Sequence, residues 1–298
     1  MERVGFIGLG RMGKGMAANL RKKQFPMRVY DLRPEPIAEL EALGAERAGG
    51  IAEIARDCDV IITMLPTGKE VAEVVLGPDG VIAKGRKGAL VMDMSTVDPN
   101  ETDRVAAALK GAGMTLVDAP VGRLATHADR GESLFMVGAS DADFRRVKPM
   151  LEAMGSTIHH CGPVGSGIRT KLVNNYLAVS SCQLNAEALA LAQRFGLDLE
   201  TTLDVLYGTT AVNGQLKINW PDKVLKGDTA PGFTIDLAHK DLSLVVAAAN
   251  AAKVPMPIAA AAREAFSAAR AAGHGGKDFS GMLEALCELA RIEVPRLK

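Results

Sequence analysis

"RVGFIGLGRMGKGMAANL", residues 3–20, decides how the first half of the chain is read. A short apolar run ends in glycine, and a stretch with helical spacing follows it. Between the two, Gly8–Leu9–Gly10–Arg11–Met12–Gly13 is a G-x-G-x-x-G. In a chain with 31 glycines such a match is weak alone. Here it lies between a strand pattern and a helix pattern, the context in which it binds a dinucleotide. Gly8 permits the tight turn, Gly10 lets a pyrophosphate approach the backbone, and Gly13 lets the helix pack on the strand. Leu9, Arg11 and Met12 complete the turn, and the helix N-terminus offers N–H donors to the phosphates.

The pattern repeats outward from this motif. "MRVYDL" (27–32), "CDVIITMLP" (58–66), "GALVMDMST" (88–96) and "MTLVDAPVG" (114–122) are further strand-like runs. Helical stretches such as "PEPIAELEALG" (34–44) and "ETDRVAAALKGAG" (101–113) separate them. This alternation predicts an α/β domain with a Rossmann-type parallel sheet and right-handed crossovers. Residues 118–138 read as a strand end, a loop and another strand. His159–His160–Cys161 reads as the end of a strand rather than a ligand cluster. Asp31 closes the second strand, where a carboxylate accepts hydrogen bonds from the adenosine ribose and repels a 2′-phosphate, so NAD is expected over NADP. Arg33 pulls the other way, because a nearby arginine can accommodate that phosphate. A solvated turn with an incidental Asp is the bland alternative.

After "HHCGPVGSG" the texture changes. Gly162, Pro163, Gly165 and Gly167 punctuate the chain, and from Ile168 onward long Ala/Leu-rich stretches contain no convincing strand. The expected division is a dinucleotide-binding domain over 1–163 and an all-helical substrate and oligomerisation domain over 164–298, opened by one long helix. The active site is expected in the cleft between them.

Bulk properties exclude several classes. The 298 residues carry zero formal net charge, so no global field attracts nucleic acid or an anionic membrane. No apolar run approaches the roughly 20 residues of a membrane helix. Arg11 and Lys14 interrupt the apolar opening, so it does not read as a signal peptide, and a cytoplasmic protein is expected. The four cysteines (Cys58, Cys161, Cys182, Cys287) are scattered, which reads as reduced thiols with no metal site.

Lys171 lies in the first turn of the long helix and shares a face with Asn174, Asn175 and Ala178 by helical spacing. An ammonium there can stabilise a developing alkoxide and donate its proton. The helix dipole tends to lower its pKa. A surface lysine beside two asparagines fits the same pattern.

"GFIGLGRMGKGMAANL", "MLPTGKEVAEVVLGPDGV", "DMSTVDPNET", "GSGIRTKLVNN" and "IDLAHKDL" together resemble the β-hydroxyacid dehydrogenase family, which includes 3-hydroxyisobutyrate dehydrogenases and tartronate semialdehyde reductases. The match runs nearly the whole length, with the motifs in the family's order. The resemblance implies that Lys171 is the catalytic acid/base, that Asn175 orients substrate and that Lys240 closes over the nicotinamide. It also implies that Met64, Leu65 and Pro66 line the cofactor site, that Thr96 touches the cofactor, and that Ser95 borders nicotinamide and substrate. A homodimer or homotetramer is implied as well. From its own pattern, Lys240 could equally be a solvated helix residue.

Where most of the family reads P-V-S-G-G, a segment that holds the substrate carboxylate, this chain has Pro120–Val121–Gly122–Arg123–Leu124. A planar fork of donors at Arg123 suits an oxyanion. This departure, with "NWPDKVLKGD" and "VPMPIAAAAREAFSAARAAG", resembles the 3-sulfolactaldehyde reductase branch. That branch implies NADH-dependent reduction of a sulfonated aldehyde to 2,3-dihydroxypropane-1-sulfonate, with Gly122 in the substrate loop and Arg123 and Asn174 holding the sulfonate. The branch also implies a hydroxyl one turn beyond Asn174, where this chain has Ala178. The alternatives are a 4-hydroxybutyrate or 3-hydroxyisobutyrate type of dehydrogenase, or a dinucleotide-binding partner protein without chemistry.

Overall fold

The structure is a computed structural model that describes residues 1–297. It separates into two compact units, Met1–Lys171 and Leu172–Lys298.

The first unit is built on one sheet of nine strands: β1 (Val4–Ile7), β2 (Met27–Tyr30), β3 (Glu46–Arg47), β4 (Val60–Thr63), β5 (Leu90–Asp93), β6 (Thr115–Asp118), β7 (Val121–Gly122), β8 (Ser133–Gly138) and β9 (Gly155–Gly162). Their order is β3-β2-β1-β4-β5-β6-β8-β7, with β9 also paired to β8. β1 lies between β2 and β4, so the chain order reverses there. Open α/β sheets bind ligands at such a reversal, outside the carboxyl ends of the strands.

β1, β4 and β5 are buried along their whole length. This explains why they read as continuous apolar runs rather than alternating ones. Val4, Phe6, Val60 and Ile62 face one apolar layer, closed by the helices Gly13–Lys22, Pro34–Glu41 and Asp141–Met154. Ile7, Ile61 and Val91 face the other, closed by Ile51–Asp57, Gly68–Leu76 and Pro99–Gly111.

The far edge departs from the sequence expectation. Residues 114–122 are not one strand: β6 stops at Asp118, and Val121–Gly122 form β7, which pairs antiparallel with β8. Pro120 has no N–H to give a ladder, so the run breaks there. β6 to β8 is also antiparallel, while β8 to β9 is parallel. The sheet therefore has a parallel body and a mixed edge. The stretch after Gly122 holds a short helix, Ala125–Asp129, where the sequence suggested only loop.

A helix of 29 residues, Ser166–Arg194, starts in the first unit and continues into the second. The second unit adds the helices Leu199–Tyr207, Ile235–Ala251, Pro257–Ala271 and Met282–Ala290. Tight helical turns over Gln215–Lys226 bury Trp220. Its core gathers Val179, Cys182, Leu189, Trp220, Leu242, Phe266 and Leu283. Among the described residues all four cysteines are free thiols, and no helix is long and apolar enough to cross a membrane.

Phe266 is fully buried in this core. Phe266→Ala is expected to destabilise the helical unit by about 3–5 kcal/mol. Trp220, the only tryptophan of the chain, reports it: the urea midpoint of its fluorescence should fall.

Candidate active site

In the first unit, the glycine-rich turn has the geometry its residue types demand. Gly8 has φ +95°, and a Cβ there would lie 2.3 Å from the Met64 carbonyl oxygen. A Cβ on Gly13 would lie 2.0 Å from the Gly8 carbonyl oxygen, so only glycine lets the helix start this close to β1. A Cβ on Gly10 would meet nothing within 4 Å, which leaves its backbone open to approach. The helix Gly13–Lys22 has no side-chain cap and no acidic residue in its first turn. Its amide end therefore favours an anion. Arg11 is exposed, Leu9 buried, and Met12 takes the N-cap position. These residues fit a dinucleotide's pyrophosphate.

Asp31 follows β2. Its Oδ2 accepts the Leu9 N–H at 2.7 Å, which ties the strand end to the glycine turn. Its Oδ1 accepts the Arg33 N–H at 2.9 Å and Nε–H at 3.2 Å. Burial pushes this carboxyl up, but the donors from Arg33 and Leu9 outweigh it and hold the group below the usual carboxylate range. A carboxylate has about four acceptor sites, so ribose hydroxyls can still bind it.

Met64 and Leu65, half-buried, and exposed Pro66 follow β4. Ser95, buried, and Thr96, half-buried, follow β5. The Ser95 hydroxyl accepts the Leu65 N–H at 2.9 Å and so clamps the two loops together. Beneath them, the buried Asp93 accepts from the Thr63 hydroxyl at 2.9 Å and the Ser95 N–H at 3.1 Å. The glycine turn, Asp31, Met64–Pro66, Ser95 and Thr96 all lie at the carboxyl edge of the parallel strands.

Lys171 is 8 % exposed, and its Nζ donates to the Val121 carbonyl at 2.7 Å. This rules out the plain surface lysine allowed by the sequence. Gly122 is buried beside it, with space for a Cβ only if Leu134 yields slightly, at 3.3 Å. Arg123 takes the left-handed backbone, φ +71°, which a side chain rarely adopts. Its guanidinium is exposed and lies along the β8–β9 edge. It donates to the Glu132 carbonyl at 2.6 Å, Ser156 Oγ at 3.0 Å and Thr157 Oγ1 at 3.1 Å.

The sequence did not single out Asp118, at the end of β6. Its two oxygens accept the Gly165 N–H at 2.6 Å and the Ile168 N–H at 2.7 Å, at the start of the long helix. Burial, with some repulsion from Asp93, pushes its carboxyl up to about 7 against the pull of those donors.

In the second unit, Asn174 Nδ2 donates to Asn175 Oδ1 at 3.0 Å, and Asn175 Nδ2 donates to Asp241 Oδ2 at 2.6 Å. Lys240, half-buried, lies 3.3 Å from Asp241 Oδ1. The buried Asp241 thus links Asn175 with Lys240. The sequence signal was only its place beside Lys240. Ala178 is half-buried on the long helix.

The chain is similar to known proteins along nearly its whole length. Residues 3–162 match the family model described as the NAD binding domain of 6-phosphogluconate dehydrogenase. Residues 165–286 match the NAD-binding model of NADP-dependent 3-hydroxyisobutyrate dehydrogenase. The chain is 43% identical over 284 residues to Escherichia coli (strain K12) 3-sulfolactaldehyde reductase, covering 95% of each. It is 37% identical over 290 residues to Pseudomonas aeruginosa 3-hydroxyisobutyrate dehydrogenase, covering 95% of this chain and 97% of the relative. The solved structure of Mycobacterium tuberculosis 3-hydroxyisobutyrate dehydrogenase with L-serine superposes with a TM-score of 0.88 at 32% identity, over 96% of this chain and 99% of that one. With the glycine turn, Asp31 and the buried lysine in place, these matches make the chain a member of the β-hydroxyacid dehydrogenase family, of the 3-hydroxyisobutyrate dehydrogenase type, and an NAD-dependent oxidoreductase.

Proposed function

We propose that the chain reduces a short anionic aldehyde with NADH, namely 3-sulfolactaldehyde to 2,3-dihydroxypropane-1-sulfonate, and that the reaction is reversible. The observation that carries this reading is the buried Lys171 ammonium, held 2.7 Å from the Val121 carbonyl immediately before Gly122 and Arg123. The bound cofactor supplies the hydride. Lys171 supplies what the carbonyl oxygen then needs: a fixed positive charge against the developing alkoxide, and a proton. The bond to Val121 uses one of its three donors and fixes where the ammonium sits.

Ser95, Gly122, Asn174 and Asn175 are the remaining substrate contacts in this reading. Asn174 and Asn175 follow Lys171 by three and four residues on one helix. Arg123 selects the anion. Its three acceptors, a carbonyl and two hydroxyls, are neutral, whereas a sulfonate offers charge-assisted, two-point bonding. The guanidinium therefore gains by leaving the β8–β9 edge for the substrate. The 43% identity to a 3-sulfolactaldehyde reductase supports the sulfonate. Ala178 favours a second reading. One missing hydrogen bond to a charged group is worth about 1.5–3 kcal/mol, enough to move preference toward a carboxylate such as succinic semialdehyde.

On the cofactor side, Gly8–Gly13, Asp31, Met64–Pro66, Thr96 and Lys240 hold the dinucleotide. Asp31 keeps Arg33 occupied, which supports NADH over NADPH. The matching helix-face residues Val173, Leu177, Leu184 and Leu191 are exposed apolar side chains on the long helix, and they support self-association as a dimer or tetramer.

Steady-state kinetics separate the substrates: kcat/KM should be higher for 3-sulfolactaldehyde than for succinic semialdehyde, and the reverse order would reject the sulfonate. Lys171→Ala should lower kcat by about 10²–10⁴-fold. NADH binding without turnover in the parent chain would mean a non-catalytic protein. Arg123→Ala should raise KM for the anionic aldehyde by roughly tenfold to a hundredfold while leaving KM for NADH in place; unchanged kinetics would remove Arg123 from the substrate site. Asp31→Asn should narrow the preference for NADH over NADPH, read as the ratio of their kcat/KM values.

A further inference from the structure

Several buried acids have no part in the reaction as described, and Asp118 is the one whose geometry leads back to the chemistry. We propose that Asp118 is a positioning residue for Lys171: its carboxylate anchors the first turn of the long helix so that the lysine ammonium meets the Val121 carbonyl. The proposal rests on the reading of Lys171 as the general acid.

Two short connections close a ring. Along the chain, Val121 follows Asp118 by three residues. Along the helix, Lys171 follows Ile168 by three residues, so the two lie on one face. The Ile168 N–H donates to Asp118 Oδ2 at 2.7 Å, and the Lys171 Nζ donates to the Val121 carbonyl at 2.7 Å. The Gly165 N–H adds a second donor to Asp118, at 2.6 Å on Oδ1. A shift of the helix start relative to β6 would therefore stretch the lysine's own hydrogen bond.

Packing leaves little room for such a shift. A Cβ on Gly167 would lie 2.3 Å from the Met136 carbonyl oxygen and 2.6 Å from that of Asp118. A Cβ on Gly138 would lie 2.3 Å from Asp118 Oδ1. The helix backbone thus rests directly on β6 and β8. Asp118 is 2 % exposed. Asp93 stands beside it in register on β5, and Arg169, on the helix, is held by Asp103 at 2.7 Å. A carboxylate suits this place because both its oxygens accept and a negative charge is favoured at the positive, N-terminal end of the helix dipole. An asparagine offers one acceptor and sets an NH2 against the other N–H.

The test is Asp118→Asn in two backgrounds, the parent chain and Lys171→Ala, with kcat, both KM values and thermal midpoint measured. In the parent, kcat should fall by roughly tenfold to a hundredfold, as expected for a displaced catalytic group. KM for NADH should stay within about twofold, since the glycine turn and Asp31 are untouched. In the Lys171→Ala background the same change should lower the residual rate by less than about twofold, because the group it positions is already gone. A parent kcat within twofold of the original overturns the proposal. So does a loss repeated in full without Lys171, which would make Asp118 a structural residue only. If Lys171→Ala keeps its kcat, the reading of Lys171 fails and the proposal fails with it; a strongly slowed Lys171→Ala on which Asp118→Asn is additive removes the proposal alone. Should Asp118→Asn not fold, Asp118→Ser is compared in the same way.

Discussion

The contact between the Gly13 Cα and the Gly8 carbonyl is the constraint from which the first unit is built. With no side chain at either position, the first helix starts directly against the end of β1. The same turn rests on the Met64 carbonyl after β4, so the two strands flanking the reversal of chain order are held at one level. Asp31 reaches the turn from β2 through the Leu9 amide, and Ser95 joins the β4 and β5 loops through the Leu65 amide. Four strand ends are thus tied together, and the first-unit residues proposed for the cofactor sit on them.

Much of this was readable because the strands are short apolar runs bounded by glycines, buried on both faces, and separated by helices with regular periodicity. The glycine motif, Asp31 and the long helix carry local signals of this kind. The mixed edge did not. β7 has two residues, too few for any period to show, and the same holds for β3 at the opposite, parallel edge. The direction of β7 and β8 depends on partners distant in sequence and on where Pro120 interrupts the ladder. The helix Ala125–Asp129 was likewise hidden, because five residues are too short to display a face.

At the site, Lys171 and the two asparagines could be placed on one helix face from spacing alone. The acids bonded to the helix start and to Asn175 could not. In the sequence Asp118 merely ends a strand pattern, and Asp241 merely adjoins Lys240. Burial and the partners Gly165, Ile168 and Asn175 are what distinguish them, and those come from parts of the chain at least forty residues away in sequence. The loop carrying Arg123 was legible as a departure in residue type, but its backbone conformation and its three oxygen partners were not.

The left-handed backbone at Arg123 bears on what a substitution there costs the fold. A side chain in that conformation costs roughly 1 kcal/mol or more relative to glycine. Moving from arginine to glycine there relaxes the backbone, while moving from glycine to arginine loads it. That load needs stability in reserve elsewhere, and the acceptors at Glu132, Ser156 and Thr157 supply part of that reserve locally.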